Sequence, residues 1–233
     1  MSIPIFVAVL LLSGSQTVSA EIIEADICVL GGTSSGVVAA VQASHMGKTV
    51  VVAEPGRHLG GLSSGGLGAT DIGNKGAIGG LSREFYARVA RYYAEDSAWT
   101  WESHQDYFTK RGSSQVKASD PLTSAAPTMW TFEPHVAERI FDQMLKEAKV
   151  PVHYRQRLAA VRKSGARIVE LAMESGAVFR AKVFIDATYE GDPDAQWQDG
   201  HQQQRCLLYR FHRCQLRLPR GRLPNPRADR QGA

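Results

Sequence analysis

Cysteine is scarce in this chain: there are three in 233 residues, Cys28, Cys206 and Cys214. So few cannot make a disulfide framework, and their spacing fits neither a CxxC redox pair nor a set of metal ligands, so no metal is expected. Long apolar runs are also missing. The longest, from Ile3 to Leu12, has about ten residues, half of the roughly 20 that a membrane-spanning helix needs. A polar stretch and Val18-Ser19-Ala20 follow it, a small-x-small ending before Glu21. Residues 1–20 therefore read as a signal peptide that leaves no membrane span once cleaved, and the protein as exported. No twin-arginine pair is present, so the general export route is expected; a misassigned start site would leave the protein cytoplasmic.

Lysine is absent from residues 193–233, which hold eight Arg, seven Gln and three Asp. That segment carries 8 − 3 = +5, whereas the rest has 19 Lys+Arg against 20 Asp+Glu, or −1. The formal net charge of +4 is thus a property of the tail. Arginine without lysine and without hydrophobic period is what an out-of-frame reading of GC-rich DNA produces. The reading frame is expected to shift after Asp192, leaving a disordered basic tail. Its aromatics are sparse and no nucleic-acid-binding fold accompanies them, so no nucleic-acid partner is expected.

What the chain does have is glycine, placed where strands end. "ADICVLG" is a continuous apolar run, as in a parallel strand covered on both faces. "SSGVVAAVQASHMGK" has helical period with Gly47 placed to end it, and "TVVVAEP" is a second strand stopped by Pro55. Strand, helix and strand within about 30 residues predict a right-handed βαβ unit. Cys28 lies inside the first strand and is expected to be a buried small hydrophobe. Residues 56–80 hold ten glycines and are expected to be loop. "LSREFYARVARYYAE" returns to helical period with Phe85, Val89 and Tyr92 or Tyr93 inward, and residues 96–129 read as a polar, irregular excursion. "EPHVAERIFDQMLKEAKV" predicts an amphipathic helix with Pro134 in its first turn and Val136, Ile140, Met144 and Leu145 inward. "PVHYRQRLAAV", "ARIVELAM", "AVFRA" and "KVFIDAT" read as a β-meander turning at "KSGA" and "ESGA", then one more buried strand.

A strand, a glycine turn and a helix opening on that turn present backbone N–H groups and the positive end of a helix dipole to an anion. Gly31 is expected to permit the turn, Gly32 to let a diphosphate approach, and Gly36 to let the helix pack on the strand. Strict G-x-G-x-x-G spacing would put the middle glycine at 33, where Thr33 stands. Glu54 ends the second strand 23 residues after Gly31, where a carboxylate can accept both hydroxyls of an adenosine ribose. The turn reads as a dinucleotide site.

"EPGRHLGG", with its glycine doublet at 60 and 61, resembles the second glycine motif of FAD-binding oxidoreductases of the glutathione-reductase-like fold. "AKVFIDATYEGD" is similar to their later strand, with Tyr189 where a glycine usually follows Ala-Thr. From Ala25 to Asp192, including "GGLSSGGLGATDIGN", "GAIGGLSREFY" and "FEPHVAERIF", the chain resembles one bacterial family of FAD-dependent oxidoreductases. The resemblance implies an α/β fold, a Rossmann-like FAD-binding domain over 25–192 with a parallel sheet and a β-meander, incomplete at its C-terminal end. It implies a diphosphate at Gly31, Gly32, Thr33, Ser34, Ser35 and Gly36, and ribose at Glu54. Arg57, Gly60, Gly61 and Leu62 are implied along the path to the flavin. Backbone near Leu158 is implied at the adenine, with Ala187 and Thr188 abutting the cofactor. Ser63, Ser64 and Asp71 read as turn residues, His58 as a loop histidine, and His104, Asp106 and Tyr107 as polar loop residues. The implied activity is hydride transfer from an unidentified small-molecule substrate to FAD, with no catalytic base identified. Two alternatives stand beside it: a non-catalytic remnant of such an enzyme and an NAD-dependent dehydrogenase, the latter disfavoured by the second glycine motif and the meander.

Overall fold

The computed structural model describes residues 20–70, 74–110 and 127–189. Residues 1–19 of the expected leader, residues 111–126 of the expected excursion, the basic tail, Asp71, Gly191, Asp192, Cys206 and Cys214 lie outside them. The βαβ unit forms as its pattern predicts: β1 (Ile22–Leu30), α1 (Ser34–His45) and β2 (Val50–Glu54). β1 begins before the predicted boundary at Ala25, because Ile22 and Ile23 find partners in Val178 and Phe179.

α2 (Gly80–Tyr93) follows the glycine-rich stretch, with Phe85, Val89, Ala90 and Tyr93 buried. Within the predicted excursion stands a helix, α3 (His104–Lys110), so the reading of His104, Asp106 and Tyr107 as loop is corrected. Its polar composition hid an aromatic anchor. Tyr107 is buried, with its ring centroid 5.2 Å from that of Trp99, which packs in turn on Tyr93. α4 (Pro134–Glu147) buries Val136, Ala137, Ile140, Phe141, Met144 and Leu145, the 3.6-residue stripe read from sequence. Its N-terminus is capped from α2: the Tyr93 hydroxyl donates to Glu133 Oε2 and accepts from the Glu133 N–H, both at 2.9 Å. Arg88 of α2 reaches Glu147 at 2.6 Å and Glu84 at 2.5 Å, fastening the other end of the pair.

The remaining strands are β3 (Val152–Tyr154), β4 (Leu158–Ser164), β5 (Arg167–Met173) and β6 (Val178–Asp186), in a six-stranded sheet of order β3-β2-β1-β6-β5-β4. β3, β2, β1 and β6 are parallel, and β5 and β4 are added antiparallel. Two meander expectations change. "PVHYRQRLAAV" divides, its first part pairing with β2 and its second turning into the hairpin. "AVFRA" and "KVFID" are one strand, because β6 runs beside β1 along its whole length.

The layers follow from which side chains meet. α1, α2 and α4 cover one face through Val37, Val41, Val89, Ile140, Phe141 and Met144 against Val29, Val50 and Val52. Burying each such side chain stabilises the fold by roughly 1.5–3 kcal/mol. On the other face Cys28, Leu30, Val51 and Ala53 form an apolar cluster with Leu171, Met173 and Phe179, so β5 shares this core with the parallel strands. Cys28 is 1% exposed, as expected, and burial pushes its thiol pKa up to about 12.

Candidate functional site

β1, β2 and β6 end side by side, and their carboxyl ends are where an open parallel sheet leaves a crevice. After Leu30 the chain turns at Gly31, whose φ of +93° is open to glycine and strained for other residues. A side chain there would also meet the Ala187 carbonyl carbon and the Thr188 nitrogen, each at 2.9 Å. Gly36 faces the Gly31 carbonyl, so α1 lies flush on the turn as the sequence suggests. The α1 dipole is unopposed, since no acidic residue stands in its first turn. The Ser34 and Ser35 N–H groups have no acceptor within their own helix.

Gly32 has a further role inside the fold. Its N–H donates to Glu54 Oε2 at 2.5 Å, and a Cβ at 32 would lie 2.6 Å from Leu59 Cδ2 and 3.0 Å from Glu54 Oε2. The missing side chain makes room for Leu59 and Glu54. Glu54 also accepts the Gly56 N–H through Oε1 at 2.6 Å. Two of a carboxylate's roughly four lone-pair sites are thereby used, and two remain for ribose hydroxyls. On this count Glu54 fits an adenosine while staying anchored to the loop.

Thr33 is buried, at 7% exposure. Its hydroxyl accepts from the Gly36 N–H at 3.3 Å, the α1 N-cap bond, and donates to the Ala187 carbonyl at 2.8 Å. The sequence showed a small hydroxyl beside the turn but not its target, 154 residues away.

The second glycine motif docks on the first. Gly60 N–H donates to the Gly32 carbonyl at 2.7 Å, and a Cβ at 60 would meet Phe141 Cδ2 of α4 at 2.6 Å. Residues Gly61–Ser63 form a 3-10 turn. Ser64 is a turn residue as read, its hydroxyl donating to the Leu59 and Gly61 carbonyls. His58 Nδ1 lies 2.9 Å from Glu138 Oε1 of α4, which also accepts the Leu59 N–H at 3.3 Å. His58 is thus a loop anchor. Arg57 is exposed beside Gly56, and Leu62 is 55% exposed.

Leu158 stands near Glu54 because the 155–157 segment is bonded to it. Arg155 N–H donates to the Gly56 carbonyl and Gln156 N–H to the Glu54 carbonyl, both at 2.9 Å. The structure therefore brings Gly31, Gly32, Thr33, Ser34, Ser35, Gly36, Glu54, Gly60, Gly61, Ala187 and Thr188 to one end of the sheet, with Leu158 at its margin. Sequence reasoning missed Leu59, Glu138 and Tyr189, which hold the second turn; Tyr189 OH accepts the Leu62 N–H at 2.7 Å. Leu59 left a signal as the single large apolar residue between Glu54 and Gly60, and Tyr189 as the departure from the glycine expected after Ala-Thr.

No curated protein matches the chain. Among solved structures it is similar to a 3-ketosteroid-delta4-(5alpha)-dehydrogenase from Rhodococcus jostii RHA1, 17% identical over 74% of this chain and 47% of that one, TM-score 0.42. It is similar to an L-amino acid deaminase from Proteus vulgaris, 14% identical over 72% of this chain and 48% of that one, TM-score 0.46. A flavin-containing monooxygenase from Stenotrophomonas maltophilia is 16% identical over 71% of this chain and 38% of that one, TM-score 0.40. The chain spans less than two thirds of each. The family described as FAD dependent oxidoreductase matches residues 26–195, most of the chain and all of the strand ends just described. The chain belongs to the FAD-dependent oxidoreductase family, whose cofactor is FAD.

Proposed function

We propose that this chain is the cofactor-holding part of an oxidoreductase that passes hydride from a small-molecule substrate to FAD. The observation that supports the reading is the meeting of the 31–36 turn, the α1 N-terminus and Glu54 at the carboxyl ends of three parallel strands. In this reading the diphosphate lies against Gly31, Gly32, Thr33, Ser34, Ser35 and Gly36. The N–H groups of the first helical turn and the helix dipole offset its charge. Glu54 takes the ribose, and backbone near Leu158 faces the adenine. Arg57, Gly60, Gly61, Leu62, Ala187 and Thr188 line the way to the ring-bearing half. When bound, FAD supplies a ring that accepts hydride from a substrate C–H bond. The residues of this chain bind and orient it.

The test is reconstitution of the purified full chain with FAD. Visible bands near ~450 nm retained through gel filtration are the expected result. A folded chain that stays colourless and shows no affinity for ADP overturns the reading. Turnover that depends on a nicotinamide instead would assign the site to the alternative dinucleotide. Export is a separate proposal resting on the 1–20 motif, and a mature N-terminus at Glu21 is its expected readout.

A further inference from the structure

The glycine at 61 leaves room for a side chain of this same protein. The Leu62 N–H donates to the phenolic oxygen of Tyr189 at 2.7 Å. A Cβ at 61 would lie 3.0 Å from Tyr189 Cζ and closer still to the hydroxyl. Tyr189 is 57% exposed, so its ring is not there to fill the core. Its bond closes the third side of a triangle. The first turn is tied to the second by Gly60 N–H and the Gly32 carbonyl at 2.7 Å. It is tied to the end of β6 by Thr33 and Ala187 at 2.8 Å. Tyr189 joins the second turn to the end of β6.

We propose that Tyr189 is a positioning residue for the flavin half of the cofactor. By accepting from Leu62 it fixes how far the 60–62 turn stands from Ala187 and Thr188, and so the width available to the ring-bearing half. Glu54, at the adenosine end, is held by Gly32 and Gly56 and takes no part in this bond. The inference rests on the assignment of residues 60–62 to the path toward the flavin.

The experiment uses the full chain and two ligands, FAD and ADP, which share the adenosine diphosphate half. Tyr189→Phe removes the acceptor and keeps the ring. The expected result is ADP affinity unchanged within about twofold and FAD affinity lowered about tenfold, the worth of one hydrogen bond. The bound flavin's absorption bands shift, and the Leu62 amide exchanges faster in the variant. Tyr189→Gln, which restores an acceptor, recovers part of the FAD affinity. Equal FAD affinity in Tyr189→Phe and wild type, or an equal drop for FAD and ADP, overturns the proposal. A wild-type chain that binds ADP but not FAD also overturns it. One that binds neither removes the nucleotide site itself, and this proposal with it. If neither variant folds, Tyr189 serves stability alone and the proposal fails.

Discussion

The hydroxyl of Thr33 caps α1 and, in the same geometry, donates 2.8 Å to the carbonyl of Ala187. One buried group therefore both starts the helix and holds the turn to the last strand. Thr33→Val keeps the shape and loses both bonds. Its unfolding free energy is expected to fall by about 1–3 kcal/mol. Thr33→Ser retains most of the difference. Denaturant midpoints at unchanged m-value measure both.

Gly36→Ala is the smallest change that should break the turn. The added methyl meets the Gly31 carbonyl, which is backbone, and comes within 3.1 Å of Ala187 Cβ. Neither neighbour can swing aside, so α1 must lift from the sheet at a cost of about 1–3 kcal/mol or more. A lowered melting temperature together with lost flavin retention is the expected pair of results. A variant as stable as wild type would contradict the packing described.

Glu54→Gln tests the carboxylate. Its two oxygens accept N–H groups of Gly32 and Gly56, and an amide can accept through only one of its two terminal atoms. Charge-assisted bonds of this kind contribute roughly 1.5–3 kcal/mol, so ADP and FAD affinities should fall together by about 10- to 100-fold. Isothermal titration with both nucleotides checks the parallel loss.

Asp26 gives a pH dependence. Its carboxylate accepts from Lys182 Nζ at 2.6 Å and from the Thr49 backbone and hydroxyl at 3.0 and 2.9 Å. The Lys182 bond first, then the two from Thr49, holds its pKa well below the usual carboxylate range. A depressed folded pKa contributes stability above the unfolded value near ~3.9 and loses it as pH falls toward the folded one. Wild type should therefore be more stable than Asp26→Asn at neutral pH. The gap should narrow steadily below about pH 4. Urea melts at several pH values read the gap, and one that widened in acid would contradict the ion pair.

Cys28 should be chemically silent. Burial raises its thiol pKa to about 12, leaving almost no thiolate at neutral pH. In a chain with Cys206 and Cys214 replaced by serine, a thiol reagent should label Cys28 only when denaturant is added. Labelling under native conditions at the denatured rate would refute its place in the buried cluster with Leu171 and Phe179.

Patterns within one element were legible in the sequence. The stripe of α4, the apolar runs of β1 and β2, and the hairpin turns at "KSGA" and "ESGA" each follow from residues a few positions apart. Other features had no local signature. α3 is polar along most of its length, and its place depends on Tyr107 finding Trp99. β6 has the pattern of two strands because Arg180 and Lys182 interrupt its apolar run, whereas β1 pairs with it throughout.

The sequence by itself determined that a glycine turn stands between an apolar strand and a helix, with an acidic residue ending the next strand, because those demands are set by backbone sterics and periodicity. Tertiary structure alone decided what the turn touches. That Gly32 makes room for Leu59 and Glu54, that Thr33 reaches Ala187, and that Gly61 lies under Tyr189 depend on chain segments up to 154 residues apart. Such contacts are governed by how three strand ends meet, and a hydroxyl or a missing side chain carries no mark of its distant partner.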